Sequence, residues 1–297
     1  MSLMKNGTII KGIGGLYSVY SDGDIYICKP RGIFRRNQQK PMIGDSVKLA
    51  ELDFVTNTAV IEEILPRKNS LIRPAVANVD RIVFVVAAAA PAPDLMLLDK
   101  MLAAAVHKDI FTVLAINKCD QNEKAAAKLA EEYKAAVNAV IILSAAENCG
   151  IDELKGLLEY GVSVLAGQSG VGKSSIINRL LEEHTMDTGE LTRKLERGKH
   201  TTRHSEMFAL ANGGLIIDSP GFSLFEITEI LPEDLQNVYP ELYNNKGVCR
   251  FPNCSHTGEP DCFVAELVSE KLFGEGRYVR YKSIYRDLKE KEKSRYK

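Results

Sequence analysis

The sequence from Val162 to Leu181 constrains the fold more than any other stretch of this 297-residue chain. An apolar, β-branched run leads in and apolar residues at helical spacing follow, so the motif between them lies at the junction of a buried strand and a helix N-terminus. Glycines let successive backbone N–H groups converge on one point, where the helix dipole adds positive charge. The motif is therefore predicted to bind phosphate through nine residues: Gly167, Gln168, Ser169, Gly170, Val171, Gly172, Lys173, Ser174 and Ser175.

Lys173 and Ser174 occupy the positions that carry the chemistry of a phosphate-binding loop. The Lys173 ammonium is expected to reach the β- and γ-phosphates, and the Ser174 hydroxyl to ligate Mg²⁺. Every position of Gly-x-x-x-x-Gly-Lys-[Ser/Thr] is filled, which disfavours a glycine-rich turn that matches by chance. The loop by itself predicts a nucleoside triphosphate and leaves the base open.

Composition is that of a globular protein, with 45% hydrophobic and 26% charged residues, and the length suits two or three domains. No apolar run reaches the length of a membrane span and the first residues lack a signal-peptide core, so we expect a cytoplasmic protein with no membrane contact. The net charge of −1 argues against a uniformly basic coat, yet residues 277–297 carry nine Lys or Arg against three acids. Such a run forms a solvated helix face or contacts RNA, and charge alone favours neither.

Residues 4 to about 66 show five short alternating runs separated by turn signals, the pattern of a small antiparallel barrel. Five strands of this size indicate an OB-like fold, a class that commonly binds single-stranded or structured RNA. A barrel that only scaffolds fits the spacing equally well. A smaller basic cluster at residues 31–40, with Arg35 and Arg36 beside Phe34, lies within this region.

A change in composition around residues 66–74 marks a boundary, and strand and helix patterns alternate beyond it. The strands are predicted at 82–89, 111–116, 140–143 and from 162, and the helices at 95–107, 123–137 and 151–158. This alternation predicts a parallel sheet with helices on both faces.

The tetrapeptide Asn117-Lys118-Cys119-Asp120 directly follows one of these strands. The Asp120 carboxylate can accept hydrogen bonds from guanine N1–H and the 2-amino group, while Asn117 and the Lys118 stem hold the base. Adenine has no such pair of donors and would leave a buried carboxylate unpaired. After the next strand come Ser144, Ala145 and Ala146, whose backbone N–H groups are candidates for guanine O6. Alone, the tetrapeptide is also compatible with an ordinary loop.

Two further segments follow the phosphate loop. A long polar stretch contains His200-Thr201-Thr202, and a predicted hairpin at 206–217 ends in Asp218-Ser219-Pro220-Gly221. Asp-x-x-Gly after an apolar strand suits a carboxylate that holds Mg²⁺ through water and a glycine whose N–H meets the γ-phosphate. A simple turn is the alternative if the other loops match by coincidence.

Together these motifs resemble a GTPase in a displaced order, because the guanine loop and the Ser-Ala loop precede the phosphate loop. With an N-terminal barrel and a C-terminal cysteine cluster, the chain is similar to the circularly permuted GTPases of the RsgA (YjeQ/YloQ) family over essentially its whole length. The resemblance implies three domains: an OB-fold β-barrel at 1–68 that binds RNA, a circularly permuted α/β P-loop GTPase domain at 69–228, and a helical zinc-binding domain at 229–297.

The cluster Cys249-x4-Cys254-x-His256-x5-Cys262 matches the zinc motif of that family at every ligand. Three thiolates and one imidazole fill a tetrahedral Zn²⁺ shell and leave no open position, so one structural zinc is expected. Free thiols or a redox role are the alternatives. Because the other cysteines are scattered, the distribution indicates a reducing compartment rather than disulfides.

The resemblance also implies roles for residues of the polar stretch. Thr202 would coordinate Mg²⁺ in the GTP state, with Thr201 as the competing candidate. Phe222 stands where many GTPases carry the glutamine that aligns the attacking water, so intrinsic hydrolysis should be slow. The proposed substitute in this family is a switch histidine, which falls on His200; its alternative is a solvent-facing loop residue.

The implied function is a GTP hydrolase that binds the small (30S) ribosomal subunit and its ribosomal RNA, acts late in subunit maturation and is stimulated by the ribosome. The protein is also expected to bind Mg²⁺ together with GTP or GDP, to hold one zinc, and to be a monomer. Asp218 and Gly221 run into the zinc segment, so γ-phosphate contacts are expected to pull on the C-terminal domain. The competing hypotheses are a nucleotide-gated RNA-binding scaffold with incidental hydrolysis, and an ATP-using kinase or ATPase.

Overall fold

A computed structural model of the chain describes residues 4–32, 34, 40–71, 75–182, 206–210, 213–218, 230–245 and 247–295. Contacts between Cα atoms group the chain into two compact units. The first comprises Met1–Asp80, Leu158–Val164 and Leu181–Pro220, and the second comprises Arg81–Leu157, Leu165–Leu180 and Gly221–Lys297.

Five strands of the first unit form a closed barrel in the order β1-β2-β3-β5-β4, which confirms the predicted N-terminal barrel. It is not wholly antiparallel as expected, because β3 and β5 pair in parallel. Apolar side chains alternate along the strands and fill the interior, where Val19, Tyr26 and Leu49 are fully buried. The barrel strands are β1 (Lys5–Ile13), β2 (Leu16–Ser21), β3 (Asp24–Pro30), β4 (Ser46–Asp53) and β5 (Thr58–Ile64).

The segment after the barrel is held to it by buried polar contacts. The Asp45 carboxylate has no exposed surface and accepts hydrogen bonds from Arg67 Nε at 2.6 Å and from the Met42 N–H at 2.7 Å. Asn78 Nδ2 donates to the Gly44 carbonyl at 2.9 Å. Two short strands, β6 (Ser70–Leu71) and β7 (Val76–Ala77), pair in an antiparallel manner within this segment.

Six strands form a second sheet in the order β10-β9-β8-β11-β13-β12. β8 pairs with β9 and β9 with β10 in parallel, whereas β12 and β13 pair antiparallel as the predicted hairpin. Because the β12–β13 hairpin lies at one edge, the sheet as a whole is mixed. The strands are β8 (Arg81–Ala87), β9 (Phe111–Asn117), β10 (Ala139–Ile142), β11 (Val162–Ala166), β12 (Glu206–Ala209) and β13 (Leu215–Asp218).

Four helices connect these strands, and two of them begin at side-chain caps. Asp94 accepts a hydrogen bond from the Leu97 N–H at the start of α1, and Asn122 accepts one from the Ala125 N–H at the start of α2. α2 ends at Tyr133, four residues before the predicted end, because Asn138 bonds to Thr112 and returns the chain to the sheet. The helices are α1 (Leu95–His107), α2 (Glu123–Tyr133), α3 (Ile151–Leu157) and α4 (Lys173–Glu182).

The C-terminal part of the second unit is helical, as expected. Its core contains Tyr239, Phe273 and Tyr281, whose rings contact one another edge-on or tilted. This core also includes Cys254 and Cys262 of the cysteine cluster. The elements are a 3₁₀ helix (Pro232–Val238), α5 (Pro240–Tyr243), α6 (Val264–Ser269) and α7 (Glu275–Arg295).

Arg277 of α7 is almost completely buried, with 2% of its surface exposed. Its guanidinium donates to Asp99 of α1 at 2.6 Å and to Glu241 of α5 at 2.5 and 3.2 Å. Arg280, one turn further on, donates to Asp99 and to Glu132 of α2. Arg277 and Arg280, two of the nine basic residues in the C-terminal run, are therefore held in ion pairs within the protein. For these two residues, neither a solvated helix face nor RNA contact, the two interpretations of the charged run, is correct.

Tyr133 completes this buried cluster by donating its hydroxyl proton to Asp99 at 2.8 Å. Burial and the neighbouring Asp99 carboxylate raise the pKa of Tyr133, so the phenol stays protonated and remains a donor. Asp99 thus accepts hydrogen bonds from three side chains on two helices, Tyr133 on α2 and Arg277 and Arg280 on α7. We refer to Asp99, Glu132, Tyr133, Glu241, Arg277 and Arg280 as the arginine clasp.

Replacing Arg277 by Met is expected to lower the free energy of unfolding by about 3–5 kcal/mol, because Asp99 and Glu241 lose a buried cationic partner. The matched control is Arg286→Met on the same helix, where the side chain is exposed and the expected change is below about 0.5 kcal/mol. Urea unfolding of both variants measures the difference. Equal destabilisation by the two substitutions would contradict a structural role for the clasp.

Candidate nucleotide and metal sites

The phosphate loop joins the end of β11 to the start of α4, as predicted, and two of its glycines are required by close approach. Gly172 has a φ of +101°, and a Cβ there would lie 2.2 Å from Nδ2 of Asn117. Gly167 has a φ of +154°, and a Cβ there would lie 2.3 Å from the Val85 carbonyl oxygen. Any side chain at either position would push the loop away from the residues that hold it.

Side chains of the loop fold back onto its backbone. Lys173 Nζ lies 2.8 Å from the carbonyl oxygens of both Gly167 and Gln168, which keeps the ammonium on the concave side of the loop. Gln168 Oε1 accepts a hydrogen bond from the Asp94 N–H at 3.0 Å, next to the first turn of α1. Ser174 and Ser175 are exposed at the start of α4. The loop therefore presents a cation, backbone N–H groups and hydroxyls in one place.

Asn117 connects the phosphate loop to the Ser-Ala loop. Its side chain is buried at 3% exposure, with Nδ2 donating to the Val171 carbonyl at 2.8 Å and Oδ1 accepting from the Ala145 N–H at 3.1 Å. Both ends of one amide are therefore used, which leaves neither the donor nor the acceptor unsatisfied in the interior. Three loops that the sequence places far apart meet at this side chain.

Lys118 reaches across to the phosphate loop as well. Its backbone has a φ of +62°, and Nζ donates to the carbonyls of Ala90 at 2.6 Å and Gly170 at 2.8 Å. The side chain therefore extends from the guanine loop to the phosphate loop. Asp120 is exposed beside it, in the position from which a carboxylate could accept from a ligand.

Cys119 and Ser144 are held by the backbone of the Ser-Ala loop. The Cys119 N–H donates to the Leu143 carbonyl at 3.3 Å, and burial together with Cys149 and Asp120 nearby raises the pKa of the Cys119 thiol. Ser144 exchanges two backbone hydrogen bonds with Cys149, and its hydroxyl accepts from the Glu147 N–H at 3.2 Å. Both residues thus shape the loop, and the Cys119 thiol stays protonated near neutral pH.

The predicted switch residues fall mostly outside the described part of the chain. His200, Thr201, Thr202, Gly221 and Phe222 lie there, so their assignments stay predictions. Asp218 is the last residue of β13, opposite Glu206 in the antiparallel register.

The four predicted zinc ligands come together in the C-terminal part of the second unit. The ligand atoms of Cys249, Cys254, His256 and Cys262 all lie within 4.8 Å of one another. Cys249 Sγ is 3.8 Å from Cys262 Sγ and 3.6 Å from His256 Nδ1, and Nδ1 is 3.4 Å from Cys262 Sγ. A tetrahedral Zn²⁺ site has sulfur–sulfur edges of about 3.8 Å and sulfur–nitrogen edges of about 3.6 Å. The cluster has the size and donor set for one zinc.

Neighbouring polar groups fix the orientation of these ligands. His256 Nε2 lies 2.8 Å from Oε1 of Gln236, so this nitrogen carries the proton and Nδ1 is left as a metal ligand. Glu259 accepts hydrogen bonds from the backbone N–H groups of Ser255 and Thr257 at 2.8 Å. Burial alone would raise the pKa of Glu259, but a hydrogen bond from the Ser255 hydroxyl, together with those from the backbone, outweighs it and lowers the pKa to about 2. The cysteine spacing gave no signal for Gln236, which comes from the 3₁₀ helix.

A model of the RsgA GTPase family matches residues 64–228, and a model of the RsgA N-terminal domain matches residues 6–58. This chain belongs to the RsgA GTPase family. Among the relatives named "Small ribosomal subunit biogenesis GTPase RsgA", that of Ruminiclostridium cellulolyticum is 45% identical over 289 residues, 97% of this chain and 95% of the relative. The protein of that name from Carboxydothermus hydrogenoformans is 42% identical and covers 97% of this chain and 99% of its own.

Solved structures of the family agree with the fold. YjeQ from Thermotoga maritima superposes with a TM-score of 0.80 at 32% identity and covers 96% of this chain and 99% of its own. YloQ, described as a circularly permuted GTPase, superposes with a TM-score of 0.79 at 29% identity, and the match covers 97% of this chain and 96% of YloQ. The predicted family, three-part architecture and GTPase class are thereby confirmed, while the domain limits stay predictions.

Membership makes the chain a GTPase, a hydrolase of GTP, and implies that it uses Mg²⁺. The cysteine cluster could hold one zinc. Within the ranges that the structure describes, no helix is long and apolar enough to cross a membrane.

We expect one zinc per chain, and we expect Cys254→Ser to remove it, since a hydroxyl is a poor substitute for the buried thiolate at 6% exposure. Metal content after gel filtration and the melting temperature measure the effect. Cys149→Ser is the matched control, because that cysteine is exposed and lies outside the cluster. Equal zinc content in the two variants would contradict the ligand assignment.

Proposed function

We propose that the chain binds GTP with the guanine against residues 117–120 and 144–146 and the phosphates in loop 167–175. The observation that carries this proposal is the Asn117 amide, which bonds to Val171 in the phosphate loop and to Ala145 in the Ser-Ala loop. A base held by the second loop and phosphates held by the first are thus set at a fixed separation. The exposed Asp120 would accept from guanine N1–H and the 2-amino group.

The hydrolytic groups proposed are Lys173, Thr202 and His200. Lys173 would neutralise charge on the β- and γ-phosphates, and Ser174 and Thr202 would ligate the Mg²⁺ that GTPases use. Asp218 would hold the same ion through water, and the Gly221 N–H would meet the γ-phosphate. His200 would orient the attacking water in place of the glutamine that Phe222 replaces.

We further propose that the substrate-bound form acts on the small ribosomal subunit late in its maturation. Support comes from relatives of 42–45% identity that are named small ribosomal subunit biogenesis GTPases and are covered almost end to end. The five-stranded barrel is a class of fold that binds RNA, and ribosomal RNA is its proposed partner. The chain would act as a monomer in the cytoplasm, with a structural zinc and no membrane contact.

A nucleotide-gated scaffold with incidental hydrolysis is the second candidate. Phe222 favours it, because the position that carries a water-aligning glutamine in many GTPases has an apolar side chain here. The two candidates differ in one respect: only an enzyme whose cycle is tied to the subunit should turn over faster when the subunit is present.

Steady-state hydrolysis of GTP should rise at least about tenfold with purified small subunits and stay at its basal rate with large subunits or none. A partner-supplied group adds about 10³–10⁵-fold in other GTPases that hydrolyse slowly alone, so a tenfold rise is a lower bound on the expected stimulation. Lys173→Ala should abolish both rates and exclude a contaminating activity. An unchanged rate with small subunits, despite GTP-dependent RNA binding, would favour the scaffold.

A further inference from the structure

Arg179 lies on α4, the helix that begins in the phosphate loop, and its side chain reaches the Ser-Ala loop. Nε donates to the Ala145 carbonyl at 2.8 Å, and Nη2 donates to the Ala146 carbonyl at 3.0 Å. One planar guanidinium therefore grips two consecutive carbonyls through nitrogens of fixed geometry. The motifs did not single out this residue, which is six positions after Lys173.

These bonds determine where the loop's N–H groups point. In a trans peptide the carbonyl and the N–H of the same unit point in opposite directions. Fixing the Ala145 oxygen on the Arg179 side therefore directs the Ala146 N–H away from Arg179. The adjacent units are also held, by Asn117 at the Ala145 N–H and by the Ser144 hydroxyl at the Glu147 N–H.

We infer that Arg179 is a positioning residue for guanine recognition, which aims the Ala146 N–H at guanine O6. The inference rests on the proposed guanine site and adds to it a residue outside the guanine-reading motifs. Arg179 is on the helix that carries Lys173, so it also ties the O6 donor to the phosphate-binding helix. Asp120 would accept from N1–H and the 2-amino group, which lie beside O6 on the same edge of guanine, and it takes no part in the two bonds of Arg179.

Nucleotide analogues separate the contact at O6 from the contacts at N1–H and the 2-amino group. 6-Thio-GTP replaces O6 by sulfur, a weaker acceptor, and keeps N1–H and the 2-amino group; ITP keeps O6 and N1–H and lacks the 2-amino group. We expect Arg179→Ala to weaken GTP binding by about tenfold and 6-thio-GTP binding much less. The ratio of GTP affinity to 6-thio-GTP affinity should therefore fall. The ratio of GTP affinity to ITP affinity should not change, because the two nucleotides differ only in the 2-amino group, which Asp120 would bind.

Binding of all three nucleotides to the full chain is measured by calorimetry for the wild type, Arg179→Ala and Arg179→Lys. The lysine variant keeps the positive charge but lacks the planar guanidinium that holds two donors at a fixed spacing, so it should restore only part of the GTP to 6-thio-GTP ratio. Asn178→Ala, an exposed position on the same helix, should leave both ratios unchanged.

Two results for Arg179→Ala would overturn the inference: the affinities for GTP and 6-thio-GTP both stay at their wild-type values, or the affinities for all three nucleotides fall by the same factor. The second result would indicate general loosening of the fold. Failure of the proposed function is distinguishable, because the wild type would then bind ATP as well as GTP. A wild type that prefers GTP, with an Arg179→Ala variant of unchanged ratios, rejects only the role of Arg179.

Discussion

The nucleotide site depends on the two hydrogen bonds of the Asn117 amide. A buried amide that lost either partner would cost about 1–3 kcal/mol, so the phosphate loop and the Ser-Ala loop are held together by a group that tolerates no change in their separation. The same side chain fills the space where a Cβ on Gly172 would otherwise lie. Lys118 adds a second tie, from the next position along the chain to the Gly170 carbonyl.

These contacts explain how a GTPase site survives a displaced order of its motifs. The bonds of Asn117 and Lys118 join loops at the ends of different strands, and none of them requires that one loop precede another along the chain. Parallel pairing of β8 with β9 and of β9 with β10 brings the carboxyl ends of those strands to one edge of the sheet. The geometry of the edge is therefore preserved when the connections are rearranged.

Helix α1 contacts both the phosphate loop and the C-terminal helices. Its N-terminal residue Asp94 donates its N–H to Gln168, and Asp99, within its second turn, accepts from Arg277 and Arg280 of α7. The expected connection between these parts was the segment after Asp218, most of which is outside the described residues. Among the described residues, the buried ion pairs of the arginine clasp connect α1 to the C-terminal helix α7 through side-chain contacts.

Motifs with fixed spacing were predictable because each spacing reflects local geometry. The phosphate loop, the guanine loop and the zinc ligands need only a few neighbouring residues to form, and the alternating apolar runs predicted the barrel strands. Long-range partners were not predictable: Arg277 belongs to a basic run, and nothing near it in sequence indicates that Asp99 and Glu241 bury it. Arg179 and Gln236 likewise bond to residues that are distant in sequence. The early end of α2 has the same kind of cause, because Asn138 bonds to Thr112, a strand residue 26 positions away.

Base preference of Asp120→Asn tests the central claim most directly. Xanthine carries a carbonyl where guanine has the 2-amino group, so an asparagine amide could donate to it where the Asp120 carboxylate would be repelled. We predict that the variant loses roughly 10²-fold or more in affinity for GTP and binds XTP more tightly than GTP. Asp152→Asn, an exposed acid on α3, is the control and should keep the wild-type preference. An Asp120→Asn variant that still selects GTP would contradict a guanine site at residues 117–120.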